Sequence, residues 1–139
     1  SEKQENSKAK EPLRTGRILL AEDNELNQEI AVAILEEAGF AVDVAENGQV
    51  AVDMLSASEA GYYQVVLMDV QMPVMDGYEA TKAIRKLANK RLASVPILAM
   101  TANAFEEDKQ EALRSGMDGH IAKPIDIETL LETLDQVLG

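Results

Sequence analysis

Five short apolar runs, each followed by a longer segment with helical spacing, constrain this chain more than any other feature of its sequence. The runs are RILLA (17–21), AVDVA (41–45), QVVLM (64–68), PILAM (96–100) and GHIA (119–122). The first, third and fourth are nearly continuous in apolar residues, as strands buried on both faces must be, whereas Asp43 in the middle of the second places that strand at a sheet edge. Strands alternating with amphipathic segments predict βα units and a parallel sheet covered by helices on both faces. The segments between the runs supply those helices. The one at 25–38 stops before Gly39, a residue suited to the left-handed turn after a helix, and 47–57 opens on Asn47 as a cap. In 76–88, Tyr78, Thr81, Ile84, Leu87 and Ala88 fall on one face, and 126–138 starts at Asp126 and repeats Leu130, Leu131, Leu134, Val137 and Leu138. The fourth, 104–115, has only Phe105, Ala112 and Leu113 as apolar anchors, so it is expected to be held loosely and to move. The pattern as a whole predicts a single α/β, doubly wound (βα)5 domain.

Composition narrows the function. Against 13 Lys and Arg stand 25 Asp and Glu, a formal charge of −12, which opposes the phosphate attraction that dominates nucleic-acid affinity. Direct binding to DNA or RNA is therefore not expected. With no cysteine, disulfides, thiolate catalysis and cysteine metal sites are excluded. No apolar run reaches the roughly 18 residues needed to span a bilayer, and no secretory leader is visible, so a cytoplasmic location without direct membrane contact is expected. Residues 1–16 lack periodicity and read as a linker or tail, leaving 17–139 as the folded domain. The start at Ser1 and the stop just after the last helical pattern suggest a piece of a longer polypeptide, such as the cytoplasmic part of a membrane-anchored protein.

Doubly wound sheets bind ligands beyond the carboxyl ends of their strands. There the first strand runs into Glu22 and Asp23, the third into Asp69, the fourth into Thr101 and the fifth into Lys123 and Pro124. Taken singly these are helix caps, turn formers and a solvated lysine. Together they are complementary parts of one reaction. Three converging carboxylates repel one another, and a hard divalent cation such as Mg²⁺ relieves this while bridging carboxylate to phosphate oxygen. Asp69 is placed to act as a nucleophile on phosphorus, with Lys123 and Thr101 to stabilise the transferred group. The lone His120 has no second histidine with which to complete a metal site.

The segments LLAEDNELNQ, VLMDVQMPVMDGYEA, ILAMTANAF and GMDGHIAKPI, in this order, resemble the receiver (response-regulator) domain of two-component signalling systems, most closely the receivers of hybrid sensor histidine kinases. The resemblance implies a flavodoxin-like fold with strand order 2-1-3-4-5. It implies a phosphoacceptor, Asp69, charged from a phosphohistidine on a histidine kinase or histidine phosphotransfer domain, and Mg²⁺, replaceable by Mn²⁺, held by Glu22, Asp23, Asp69 and the backbone carbonyl of Gln71. Thr101 and Lys123 would contact the phosphate, with the backbone N–H groups of Val70, Gln71 and Ala102 around it, and Lys123–Pro124 would be cis. Gln71 and Asn103 take positions that tune dephosphorylation. His120 stands where an aromatic residue often follows the switch threonine, and Glu22 replaces a frequent Asp. Such a domain promotes only its own phosphorylation and dephosphorylation, altering the face made by the fourth helix, fifth strand and last helix, as a monomer or a phosphorylation-dependent dimer. Two rival readings are a Mg²⁺-dependent phosphohydrolase with an aspartyl nucleophile, which would want an acid where Gln71 stands, and an interaction module that is never phosphorylated.

Overall fold

The structure, a computed structural model, describes residues 16–102 and 105–138. Strand β1 (Gly16–Ala21) is followed by α1 (Glu25–Glu37), β2 (Phe40–Ala45), α2 (Gly48–Ala57), β3 (Val65–Asp69), α3 (Gly77–Arg85), α4 (Lys90–Ala93), β4 (Ile97–Thr101), α5 (Glu106–Ser115), β5 (Gly119–Ala122) and α6 (Ile127–Leu138). The strands form one parallel sheet in the order β2-β1-β3-β4-β5.

Alternation within each strand divides the core in two. Leu19, Ala21, Val66, Met68, Ile97 and Ala99 face one way and pack with Val52, Leu55, Ala80, Ile84 and Ala112 of α2, α3 and α5. Their neighbours Ile18, Leu20, Val65, Leu67, Leu98 and Met100 face the other way, onto Ala31 and Leu35 of α1 and Leu130 and Leu134 of α6. Every residue of β3 and β4 is buried, which is why both read as unbroken apolar runs. At the β2 edge, Asp43 is held by the Arg17 guanidinium at 2.7 Å and accepts a hydrogen bond from the Tyr63 hydroxyl at 2.7 Å.

The structure departs from the sequence expectations in four places. Gly16 opens β1 instead of closing a tail, and residues 1–15 lie outside those described. Helix α3 stops at Arg85, so Ala88 lies beyond it and is exposed; Tyr78 is half-buried against the edge of the core, and Ala80, Thr81 and Ile84 are the deeply buried residues of the packed face. The short α4 was not foreseen; a single turn offers no periodicity, only the Asn89 cap, whose Oδ1 accepts from the N–H groups of Arg91 and Leu92. On α5, Phe105 at 63% and Leu113 at 56% exposure are not anchors, and only Ala112 and Ser115 are buried. The expected thin attachment is thinner still, and among the described residues no side chain caps the N-terminus of α5.

Candidate active site

Parallel pairing brings the strand ends together. Asp69, last in β3, stands beside Met100 on β4, and Thr101, last in β4, beside Ala122 on β5. Beyond these ends the backbone is still tied down: Glu22 N–H donates to the Ala45 carbonyl at 3.0 Å, and Lys123 N–H to the Thr101 carbonyl at 2.8 Å. Asn24 caps α1 through an Oδ1 contact to Asn27 N–H, and the Gln28 amide returns to the Glu22 carbonyl at 2.7 Å, holding the acidic pair at the helix mouth. Opposite, the Asp76–Glu79 capping box starts α3, and Gly77 N–H donates to the Val70 carbonyl at 2.8 Å. Only glycine serves at 77, because a Cβ there would lie 2.2 Å from the Asp69 carbonyl oxygen.

The result is a cleft of about 370 Å³ lined by Glu22, Asp23, Asp69, Val70, Gln71, Thr101, Ala102 and Lys123. One carboxylate oxygen from each of Glu22, Asp23 and Asp69 lies within 4.8 Å of the others. Lys123 Nζ reaches Asp69 Oδ2 at 3.0 Å and Glu22 Oε1 at 3.3 Å, and the Lys123–Pro124 peptide is cis. Glu22 and Asp69 are buried and Asp23 is exposed, so the cluster has two walls and one solvent-facing edge.

Burial pushes the Asp69 carboxyl above the usual carboxylate range, the Lys123 contact pulls it back, and the charge of Glu22 adds to the rise, which prevails. Burial works to lower Lys123, but its contacts with Asp69 and Glu22 outweigh this and hold its pKa above the usual value. A carboxylate trio with one ammonium is a donor set suited to a hard divalent cation. The buried Thr101 Oγ1 has no partner among the described residues, a hydroxyl held ready beside the cleft.

His120, half-buried on β5, does not line the cleft, and Asn103 lies outside the described residues. Sequence reasoning missed five lining residues, Asn24, Asn27, Tyr78, Met100 and Asp108. Asn24 carried a cap signal; Asp108 sits in the first turn of the helix after Thr101, where an acid is ordinary helix chemistry.

The family model for the response regulator receiver domain matches residues 18–135. Hybrid signal transduction histidine kinase I of Dictyostelium discoideum is 38% identical over 121 residues, covering 86% of this chain. Hybrid signal transduction histidine kinase B of the same organism is 42% identical over 124 residues, covering 83%. The chain spans only 7% and 6% of the length of those two proteins. Among solved structures, the receiver domain of a Pseudomonas aeruginosa sensor histidine kinase, with magnesium coordinated in its active-site cleft, is 38% identical with a TM-score of 0.78, over 90% of this chain and 98% of that one. The receiver domain of Ssk1 from Saccharomyces cerevisiae, solved with the histidine phosphotransfer protein Ypd1, is 30% identical with a TM-score of 0.75, over 88% of each chain.

Proposed function

The chain belongs to the response regulator receiver family, and from that premise we propose that it is a phosphorylation switch in which Asp69 accepts a phosphoryl group from a phosphohistidine on a histidine kinase or phosphotransfer domain. The observation that carries this reading is the buried Asp69 carboxylate held 3.0 Å from Lys123 within the acidic cluster. An Asp69 oxygen forms the new O–P bond as the P–N bond to imidazole breaks, and the ring nitrogen keeps the electron pair and is protonated from solvent. Lys123 places its positive charge where the phosphoryl oxygens arrive, and the unpartnered Thr101 hydroxyl turns to donate to one of them. Glu22, Asp23 and Asp69, with the Gln71 carbonyl, would hold Mg²⁺, which when bound neutralises charge on the phosphoryl group.

Exposed Ile30 on α1 lines a hollow of about 310 Å³ together with Ala31, Pro124 and Ile125, next to the cleft, and Leu26, also exposed, lies one turn earlier on the same helix. Contact with this strip would bring the donor's imidazole over Asp69. Once phosphorylated, the protein favours the state in which Thr101 contacts the phosphoryl group, and α5, held by little apolar contact, responds together with β5 and α6. His120 on β5 would follow Thr101, and Gln71 at the exposed rim would help place the water that later hydrolyses the acyl phosphate.

The test is intact-mass measurement after incubation with a phosphorylated histidine phosphotransfer domain and Mg²⁺. Wild type should gain one phosphoryl group and Asp69→Asn none. Labelling that persists in Asp69→Asn would overturn the assignment.

A further inference from the structure

The charge around the cleft does not balance. Four of its lining side chains are carboxylates, Glu22, Asp23, Asp69 and Asp108, against the single ammonium of Lys123. The first three form the cluster suited to a divalent cation. Asp108 does not belong to it: this half-buried residue comes from α5, and among the described residues no ion pair or hydrogen bond engages its carboxylate. The helix dipole favours acids in a first turn, but Glu106 and Glu107, both exposed, already serve it there. The charge of Asp108 is felt in the wall of the cleft, where the Tyr78 phenol is held above its usual pKa first by burial and next by Asp108.

We propose that Asp108 discriminates among phosphodonors, its uncompensated charge at the cleft disfavouring the approach of free dianionic phosphate compounds to Asp69. This rests on Asp69 being the phosphoacceptor. With the two buried carboxylates, Asp23 and Lys123 engaged around the metal and the incoming group, Asp108 is the charge left over, and it acts on any anion arriving from solvent. A phosphohistidine presented by a docked protein meets the same repulsion but offsets it with contacts made elsewhere, as remote binding energy does in other transfer reactions. The residue therefore favours relay from a protein partner over charging by small metabolites.

Two small donors of unlike charge separate this role from a structural one. Acetyl phosphate is a dianion near neutral pH; attack by Asp69 breaks its P–O bond and acetate leaves with the electron pair. Phosphoramidate is a zwitterionic monoanion; the same attack breaks its P–N bond and ammonia leaves with the pair. Second-order rate constants are measured by intact mass at saturating Mg²⁺ for wild type, Asp108→Asn, Asp108→Lys and, as a control for net charge, Glu107→Gln. The ratio of the acetyl phosphate to the phosphoramidate rate should rise by roughly 3- to 10-fold in Asp108→Asn and further in Asp108→Lys. It should stay at the wild-type value in Glu107→Gln, and the differences should collapse in molar salt. A change that moves both donors equally, or a ratio unaltered in Asp108→Asn and Asp108→Lys, overturns the proposal while leaving the phosphoacceptor reading intact. Wild type labelled by neither small donor nor by a phosphorylated histidine phosphotransfer domain would overturn that underlying reading.

Discussion

The Lys123 ammonium stands 3.0 Å from Asp69 Oδ2 while also reaching Glu22 Oε1 at 3.3 Å, so one cation serves two buried carboxylates. The two acids differ in where they come from, Glu22 after the first strand and Asp69 at the end of the third, and neither can move away because the backbone on either side is hydrogen-bonded. Charge is thereby concentrated at a cost to the fold, since desolvating like charges disfavours their ionised forms.

Asp69→Asn should therefore stabilise the protein at pH 7 in the presence of a chelator, by about 1–2 kcal/mol in urea unfolding. The sign follows from linkage. The Asp69 carboxyl is raised in the folded state, so the stability tied to its protonated form is complete below the ordinary carboxylate value and lost as pH climbs through the raised one. The advantage of Asp69→Asn should consequently shrink on acidification through that window. A variant less stable than wild type at neutral pH, with no shrinkage, would show that Lys123 compensates Asp69 fully.

Divalent cations act on the same balance from the other side. Mg²⁺ at about 100 times its dissociation constant should raise wild-type stability by about 2.7 kcal/mol. Asp23→Asn should abolish most of this gain while leaving the chelated protein as stable as wild type, because Asp23 is exposed and supports nothing in the core. Thermal melts with and without Mg²⁺ read both effects.

Val74 carries strain that the core does not need. It is β-branched, lies at φ 69° in the left-handed region, and is 81% exposed in the loop between β3 and α3. Val74→Asn keeps a side chain while tolerating this backbone, and should stabilise by about 0.5–1 kcal/mol in urea unfolding. Destabilisation would mean that Val74 makes a contact its exposure does not suggest.

Sequence patterning reached the sheet because β3 and β4 are buried along their whole length and β1 from Ile18 to Ala21, so their sequences read as unbroken apolar runs that end at a carboxylate or a hydroxyl. It reached Glu22, Asp23, Asp69, Thr101 and Lys123 for the same reason, since strand ends are located once strands are. It failed where one tertiary contact decides. Ala80 is the most deeply buried apolar residue of α3 beside Ile84, while Tyr78 packs only against the rim of the same core, a difference of depth that apolar character alone does not separate. Asp108 escaped because an acid in a first helical turn has an adequate local explanation, and only the folded backbone brings it to the same cleft as Glu22, Asp23 and Asp69, which lie far away in the chain.

Tyr63 should make the protein sensitive to alkali. Burial first, and then its hydrogen bond to Asp43, hold its phenol well above the ordinary value. A raised folded-state pKa gives stability that is whole below the unfolded value near 10 and lost as pH rises beyond it. Unfolding free energy should thus fall steeply above about pH 10. Tyr63→Phe should be about 1–2 kcal/mol less stable at pH 7, having lost the 2.7 Å contact to Asp43 Oδ2, yet show a flatter alkaline limb. Parallel limbs in the two proteins would remove Tyr63 as the cause.

Arg85 closes α3 by fanning across three segments. Its Nε donates to the Gly116 carbonyl at 2.8 Å, one terminal nitrogen donates to the Ala93 and Val95 carbonyls at 2.7 Å each, and the other meets Asp118 Oδ2 at 2.9 Å. Asp118 in turn accepts from Ile97 N–H at 2.8 Å, so the guanidinium couples the start of β4 to the left-handed turn that ends α5. A lysine brings the charge without the fork, and leaves at least two carbonyls unsatisfied. Arg85→Lys should therefore cost about 2–3 kcal/mol. Because α5 has so little apolar attachment of its own, amide exchange at its C-terminal turn should accelerate more than in β3, whose core contacts the substitution leaves in place. Uniform acceleration across the sheet would instead make Arg85 a general stabiliser and not the local clamp of α5.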